Sequence, residues 1–105
     1  MLPTAEDVEA ALQTLTDTDE TFGILYARKD AGKEKIKLLK ARAFLNAKGS
    51  VAERNATADC DPDVIKAIDD WENHLAEFKI ADNKRNQALT IIDVWRSINA
   101  NQRRA

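Results

Sequence analysis

The chain reads as an all-α protein. The expected architecture is an antiparallel hairpin of long, coiled-coil-like helices, with a short N-terminal helix and another short helix in the turn. Three observations predict this. Only three glycines and two prolines occur in 105 residues, too little turn chemistry for many short strands. Apolar residues recur at steps of three and four over long stretches, the period of one helical face. Cap and stop signals then divide the chain into four helical segments and a tail, all within one domain, residues 1–105.

The first segment is residues 4–15. Thr4 stands three residues before Asp7, a capping-box spacing in which a hydroxyl accepts an orphan backbone N–H. Glu6, Asp7 and Glu9 suit the positive end of the helix dipole. Val8, Ala11, Leu12 and Leu15 form its apolar side, expected to face Trp95 and Ile98. Thr16-Asp17-Thr18-Asp19-Glu20 reads as a break, because short polar side chains compete for the backbone. The second segment is residues 18–47, ended by Gly49 just past the last turn. Phe22, Leu25, Ile36, Leu39 and Ala43 lie on one face. Ile24, Ala31, Leu38 and Leu45 form a second stripe at steps of seven.

Ser50 and Glu53 make a second capping box, opening a short helix over 50–58. Asp61 followed by Pro62 is a cap with proline at the first helical position, where its missing N–H costs nothing. No further glycine or proline follows, so the last helix is expected over 62–99, with a polar basic tail at 100–105. Its stripe is Val64, Ile68, Trp71, Leu75 and Phe78, resumed by Ala88, Ile92 and Trp95. The expected core and dimer contacts are Phe22, Leu25, Ile36, Leu39, Ile68, Trp71, Leu75, Phe78, Ile92 and Trp95.

Charge predicts how the helices pair. Residues 1–27 hold six acids and no base, and residues 28–48 eight bases and two acids. Residues 59–82 hold eight acids and two bases, and residues 84–105 five bases and one acid. Folding the chain back near residue 54 sets each block beside one of opposite sign, whereas a parallel arrangement sets like charges together. Exposed pairs contribute only ~0.2–1 kcal/mol each, so the pattern selects orientation more than it stabilises. A two-helix hairpin of this size buries little surface, and two stripes on one helix exceed what one partner covers. A homodimer with a four-helix core follows as the expectation.

Composition excludes several classes. No run approaches the ~18 apolar residues of a spanning helix, so no membrane role is expected. The start lacks the basic flank and apolar run of a secretory signal, which points to the cytoplasm. One cysteine and one histidine oppose an intrachain disulfide and a structural zinc site. No nucleotide-binding loop or serine elbow is present, so an enzyme is not expected, nor are catalytic, cofactor or metal residues. His74 reads as a helix-flank histidine. Cys60, between Asp59 and Asp61, reads as a small turn residue, since neighbouring acids oppose a thiolate. Asp69, Asp70, Glu72 and Glu77 read as a solvated face. Candidate interaction residues are Lys29, Lys33, Lys37 and Lys40, with Arg96, Arg103 and Arg104 in the tail. These cations suit phosphates, but a net charge of −2 does not favour a dedicated nucleic-acid binder.

Ala43-Phe44-Leu45, the turn Gly49-Ser50-Val51-Ala52-Glu53-Arg54, and Val94-Trp95-Arg96 with Asn99-Ala100-Asn101-Gln102-Arg103-Arg104 carry a resemblance covering most of the chain. They resemble small helical-hairpin proteins of tailed bacteriophages and prophages, some encoded near recombination and replication genes. The resemblance implies a non-enzymatic accessory role in phage DNA recombination or replication through protein–protein contacts, in the bacterial cytoplasm. It carries no catalytic residues, and Gly23 and Gly32 depart from its strong helix-former pattern. Two alternatives stand beside this reading. One is a nucleic-acid-binding accessory protein using the lysines and tail named above. The other is an inhibitor of a host nuclease or defence system, with Asp63, Asp70 and Glu77 mimicking a phosphate backbone.

Overall fold

A computed structural model gives three helices: α1 (Ala5–Asn46), α2 (Val51–Asp59) and α3 (Pro62–Arg104). The structure describes residues 2–104, Arg104 by its backbone alone. No strand occurs among the described residues, and no helix is long and apolar enough to cross a membrane.

The caps form where the sequence places them. Thr4 N–H donates to Asp7 Oδ2 at 2.8 Å and Asp7 N–H to Thr4 Oγ1 at 3.2 Å, a reciprocal box. Glu53 N–H donates to Ser50 Oγ, whose hydroxyl donates to Glu53 Oε1, both at 3.2 Å. Asp61 Oδ1 accepts from Asp63 N–H at 2.9 Å and Val64 N–H at 3.3 Å. Gly49 has φ +110°, and a Cβ there would stand 2.5 Å from Glu53 Oε2. The positive φ calls for glycine at this turn, while the Glu53 carboxylate, at the end of a flexible side chain, could move aside.

Two expected boundaries are corrected. Residues 16–20 do not break the first helix, and α1 runs through them as one helix of 42 residues. The threonines satisfy their hydroxyls on the preceding turn: Thr14 donates to Ala10 O, Thr16 to Leu12 O and Thr18 to Thr14 O, at 3.0, 3.0 and 2.6 Å. Gln13 Nε2 also donates to Asp17 Oδ1 at 2.7 Å across one turn. Side chains expected to compete with the helix are thus absorbed by it. At the other end, helix α3 continues to Arg104 instead of stopping at Asn99. Residues 100–104 contain no breaker, and arginine favours the negative end of the dipole.

The chain forms two compact units, 1–23 with 79–105, and 24–78. In the first unit, Ala11, Ala88 and Ile92 form a buried cluster with Val8, Leu15 and Ile91 packed against it. Leu12, expected on this inner side, is exposed. It follows Ala11, and the inward row steps from Val8 to Ala11 to Leu15. The second unit is an antiparallel helical hairpin in which α2 and its flanking turns join α1 to α3. Ala58, Val64 and Ala67 are buried here.

Within each unit the covered positions follow steps of three and four. On α1 they include Val8, Ala11, Leu15, Thr18 and Phe22 in the first unit. Leu25, Lys29, Gly32, Ile36, Leu39 and Ala43 continue them in the second. On α3 they include Val64, Ala67, Trp71, His74 and Phe78 in the second unit. In the first unit they include Arg85, Ala88, Ile92 and Trp95. Ala67, not Ile68, is the buried residue of its turn. Ile68 and Leu75 sit half-buried at the edge of the row. Of the ten expected core residues only Ile92 is buried, the other nine being half-buried.

Asp61→Ala removes the acceptor for two orphan amides at the start of α3. It is expected to lower stability by about 1 kcal/mol, within the ~0.5–2 range of N-cap losses, read as a lower urea midpoint at unchanged slope.

Candidate interaction surfaces

The seams carry polar groups, and these decide which side chains remain outside. In the first unit, Arg85 occupies an inward position with its side chain only 18% exposed. Its Nη1 donates to Leu15 O and to Thr18 Oγ1, both at 2.9 Å, and its Nη2 lies 3.4 Å from Asp19 Oδ1. The guanidinium carbon stands 5.0 Å from the Phe22 ring centroid. A planar, multiply donating cation suits this mixture of carbonyl, hydroxyl, carboxylate and ring.

In the second unit, Lys29 is likewise drawn inward. Its Nζ lies 4.7 Å from the Tyr26 ring centroid, 4.9 Å from that of Phe78 and 3.1 Å from Asp30 Oδ1. The two rings meet edge to face at 5.6 Å. Gly32 stands against Trp71, where a Cβ would approach indole Cδ1 to 3.2 Å. Gly32 therefore makes room for a large ring at close helix approach. His74 lies one turn along on the same row, turned further inward than a flank residue. Its Nδ1 and Trp71 Nε1 are enclosed without a hydrogen-bond partner among the described residues.

These placements rearrange the expected basic face. Lys29 belongs to the seam. Lys37 pairs with Glu34 at 3.3 Å and Lys40 with Asp59 at 3.6 Å, while Lys33 is exposed. Arg96 approaches Asp93 at 4.0 Å, Arg103 is exposed on the last turn of α3, and the Arg104 side chain lies outside the described residues. Lys29, Lys33, Lys37 and Lys40 therefore do not present one continuous cationic surface.

The acids behave similarly. Arg28, Lys35 and Arg42 recur every seventh residue on α1, and Asp63, Asp70 and Glu77 every seventh on α3. Arg28, Lys35 and Asp70 line one groove of about 230 Å³ together with Trp71 and His74. Asp70 thus shares a groove with Arg28 and Lys35, a juxtaposition of the sign that charge complementarity favours. Among the described residues no three His, Cys, Asp or Glu side chains are grouped to hold a metal ion. Cys60 is an exposed free thiol at the C-cap of α2.

What lies outside is large and apolar. Ile24, Leu38 and Leu45 are 45%, 54% and 75% exposed. With the exposed alanines Ala27, Ala31 and Ala41 they lie along the outer side of α1, in two apolar stretches, 24–31 and 38–45, separated by the exposed Glu34. The sequence singles out Ile24, Ala31, Leu38 and Leu45; the alanines that complete the row carry too little hydrophobicity to stand out. No protein-family model matches this chain, and no curated protein or solved structure matches it either.

Arg85→Ala removes the extra donor to the Leu15 carbonyl, which keeps its helical partner, and the donor to the Thr18 hydroxyl, and it opens space beside Phe22. It is expected to cost about 1–3 kcal/mol, measured by chemical denaturation. Arg85→Met fills much of the volume but supplies no donor, so it should recover only a minor part of that loss, and full recovery would contradict a hydrogen-bonding role for Arg85.

Proposed function

We propose that this chain is a non-enzymatic interaction protein of the phage or prophage type. It works as a homodimer in the bacterial cytoplasm and assists DNA recombination or replication through protein–protein contacts. The single observation that carries the reading is the outer row of α1. Large side chains at Ile24, Leu38 and Leu45 stand in solvent in one heptad register, with Ala31 at the position between the first two, the register in which a further helix would meet them. Exposed apolar rows of this kind mark association surfaces. Arg28, Lys35 and Arg42 border the row and favour a protein partner whose helix carries acids beside its apolar face.

Nucleic acid is the weaker reading, because Lys29 is held between two rings and Lys37 and Lys40 already face carboxylates. The acidic-mimic reading is weakened likewise, since Asp70 shares its groove with Arg28 and Lys35.

The test is affinity capture from the source cells with wild-type protein and with Leu38→Glu. Position 38 is exposed, so the variant should keep its helical circular dichroism. A recombination or replication protein retained by wild type and lost with Leu38→Glu is the expected result. Equal retention by both proteins, or a salt-dependent shift of single-stranded DNA with no protein partner, would contradict the reading.

A further inference from the structure

We propose that the groove between the end of α1 and α2 takes up an acidic segment of a partner protein, anchored by one aromatic side chain. This rests on the protein-interaction reading above and names the chemistry of the segment bound. The groove lies within the second unit and encloses about 460 Å³, inside the ~300–1,000 Å³ range of ligand pockets. Ala41, Phe44 and Leu45 of α1 line one side, and Asn55 and Ala58 of α2 the other. The Lys40–Asp59 ion pair, at 3.6 Å, joins the two walls. Alanines at 41 and 58 leave space that larger side chains would fill. Leu45 is more exposed than any other large apolar side chain among the described residues, and Val51 is exposed one turn before Asn55 on α2. An apolar hollow edged by exposed apolar residues suits one aromatic ring as the anchor of a partner.

Charge identifies what flanks the anchor. From residue 35 to residue 52 the chain holds five cations, Lys35, Lys37, Lys40, Arg42 and Lys48, and no acid. Lys37 stands one turn before Ala41, and Lys48 just past the end of α1. Arg54 adds a cation from α2, its guanidinium carbon 5.8 Å from the Phe44 ring centroid. The two acids of α2 are already engaged: Glu53 accepts from the Ser50 hydroxyl in the cap, and Asp59 faces Lys40. Arg42 and Lys48 enter no ion pair among the described residues. Around this groove cations therefore outnumber the chain's own acids. Acids beside the anchor meet uncompensated charge, which speeds encounter and selects against basic partners.

The other grooves lack this combination. At Trp71, Asp70 already shares the space with Arg28 and Lys35, and beside Ile91, Asp7 and Lys84 line one cavity together. Nucleic acid fits the α1–α2 groove less well than an acidic peptide. Phe44, the one ring of its walls, is half-buried with Arg54 against it, and so offers no free platform on which bases could stack.

Fluorescence anisotropy tests the proposal, with a fluorescein-labelled peptide of aspartates around one central phenylalanine. Wild type should bind it, and added salt should weaken the binding. Replacing the phenylalanine by alanine, or the aspartates by asparagines, should weaken it about tenfold or more. Ala41→Glu and Asn55→Asp each set a carboxylate on one wall at an exposed position. Helical circular dichroism should be kept, while affinity falls about tenfold for the first and severalfold for the second. Ile24→Glu, far from the groove on α1, should change nothing. Binding untouched by both wall substitutions, or equally tight without the phenylalanine, would overturn the inference, as would tighter binding of an oligothymidylate. Sedimentation in which Ala41→Glu turns a dimer into an 11.7 kDa species would give the groove to a second copy and overturn it too. Absence of peptide binding would overturn this inference alone, since capture with Leu38→Glu decides separately the reading on which it rests.

Discussion

The polar layer of Arg85 with Leu15 and Thr18 is the constraint on which the first unit depends. The buried apolar contacts beside it are made by Ala11, Ala88 and Ile92, with Val8, Leu15 and Ile91 packed against them. Alanines are nearly indifferent to a slide of one helix along another, because a methyl group fits many positions equally well. The guanidinium is not indifferent. A slide of one turn would carry it away from the Leu15 carbonyl, the Thr18 hydroxyl and the Asp19 carboxylate, which it meets at 2.9, 2.9 and 3.4 Å. Leaving a partly buried charge without these acceptors is expensive. The cation therefore selects one register among several that apolar packing would tolerate, a role best attested for polar groups in coiled-coil seams.

Register in turn determines what each helix shows to solvent. With Val8, Ala11, Leu15, Thr18 and Phe22 turned inward, the opposite side of α1 is committed to the outside. In the second unit, Lys29 between its two rings and Gly32 under Trp71 play the corresponding part. A bulky ring accommodated by a glycine and a cation accommodated by two rings each have one good partner position. The seams mix alanines with large side chains such as Val64 and Ile92, and further aliphatic residues, among them Ile24, Leu38 and Leu45, stand outside them. Association surfaces follow from a fold whose pairing is specified by the seam and whose outer side still carries large apolar residues.

Much of this was legible in the sequence. Thr4, Ser50, Gly49 and Asp61 each announce a boundary through local chemistry, and each forms as its spacing indicates. The alternation of acidic and basic blocks points to antiparallel pairing, seen in Lys40 with Asp59 and Arg85 with Asp19. Three features were not legible. The threonines near residue 16 look like a break because one sequence does not reveal that their hydroxyls bond back to the preceding turn. Ile68 and Leu75 outshine Ala67 and His74 in hydrophobicity, so the row on α3 reads one residue out of place at two turns. Lys29 and Arg85 look like surface charges until the rings and acceptors that draw them inward are assembled from distant parts of the chain. The candidate surfaces were accordingly legible as stripes, while the split between seam and surface lysines was not.

The most direct test of the register claim is a methyl–methyl nuclear Overhauser spectrum of the wild-type chain. Cross-peaks should join the Ala11 methyl to those of Ala88 and Ile92, with Val8, Leu15 and Ile91 around them, as one set of shifts. Two or more sets, or cross-peaks from Ala11 to methyl groups a full turn away on α3 in place of these, would show that the polar layer does not fix the pairing.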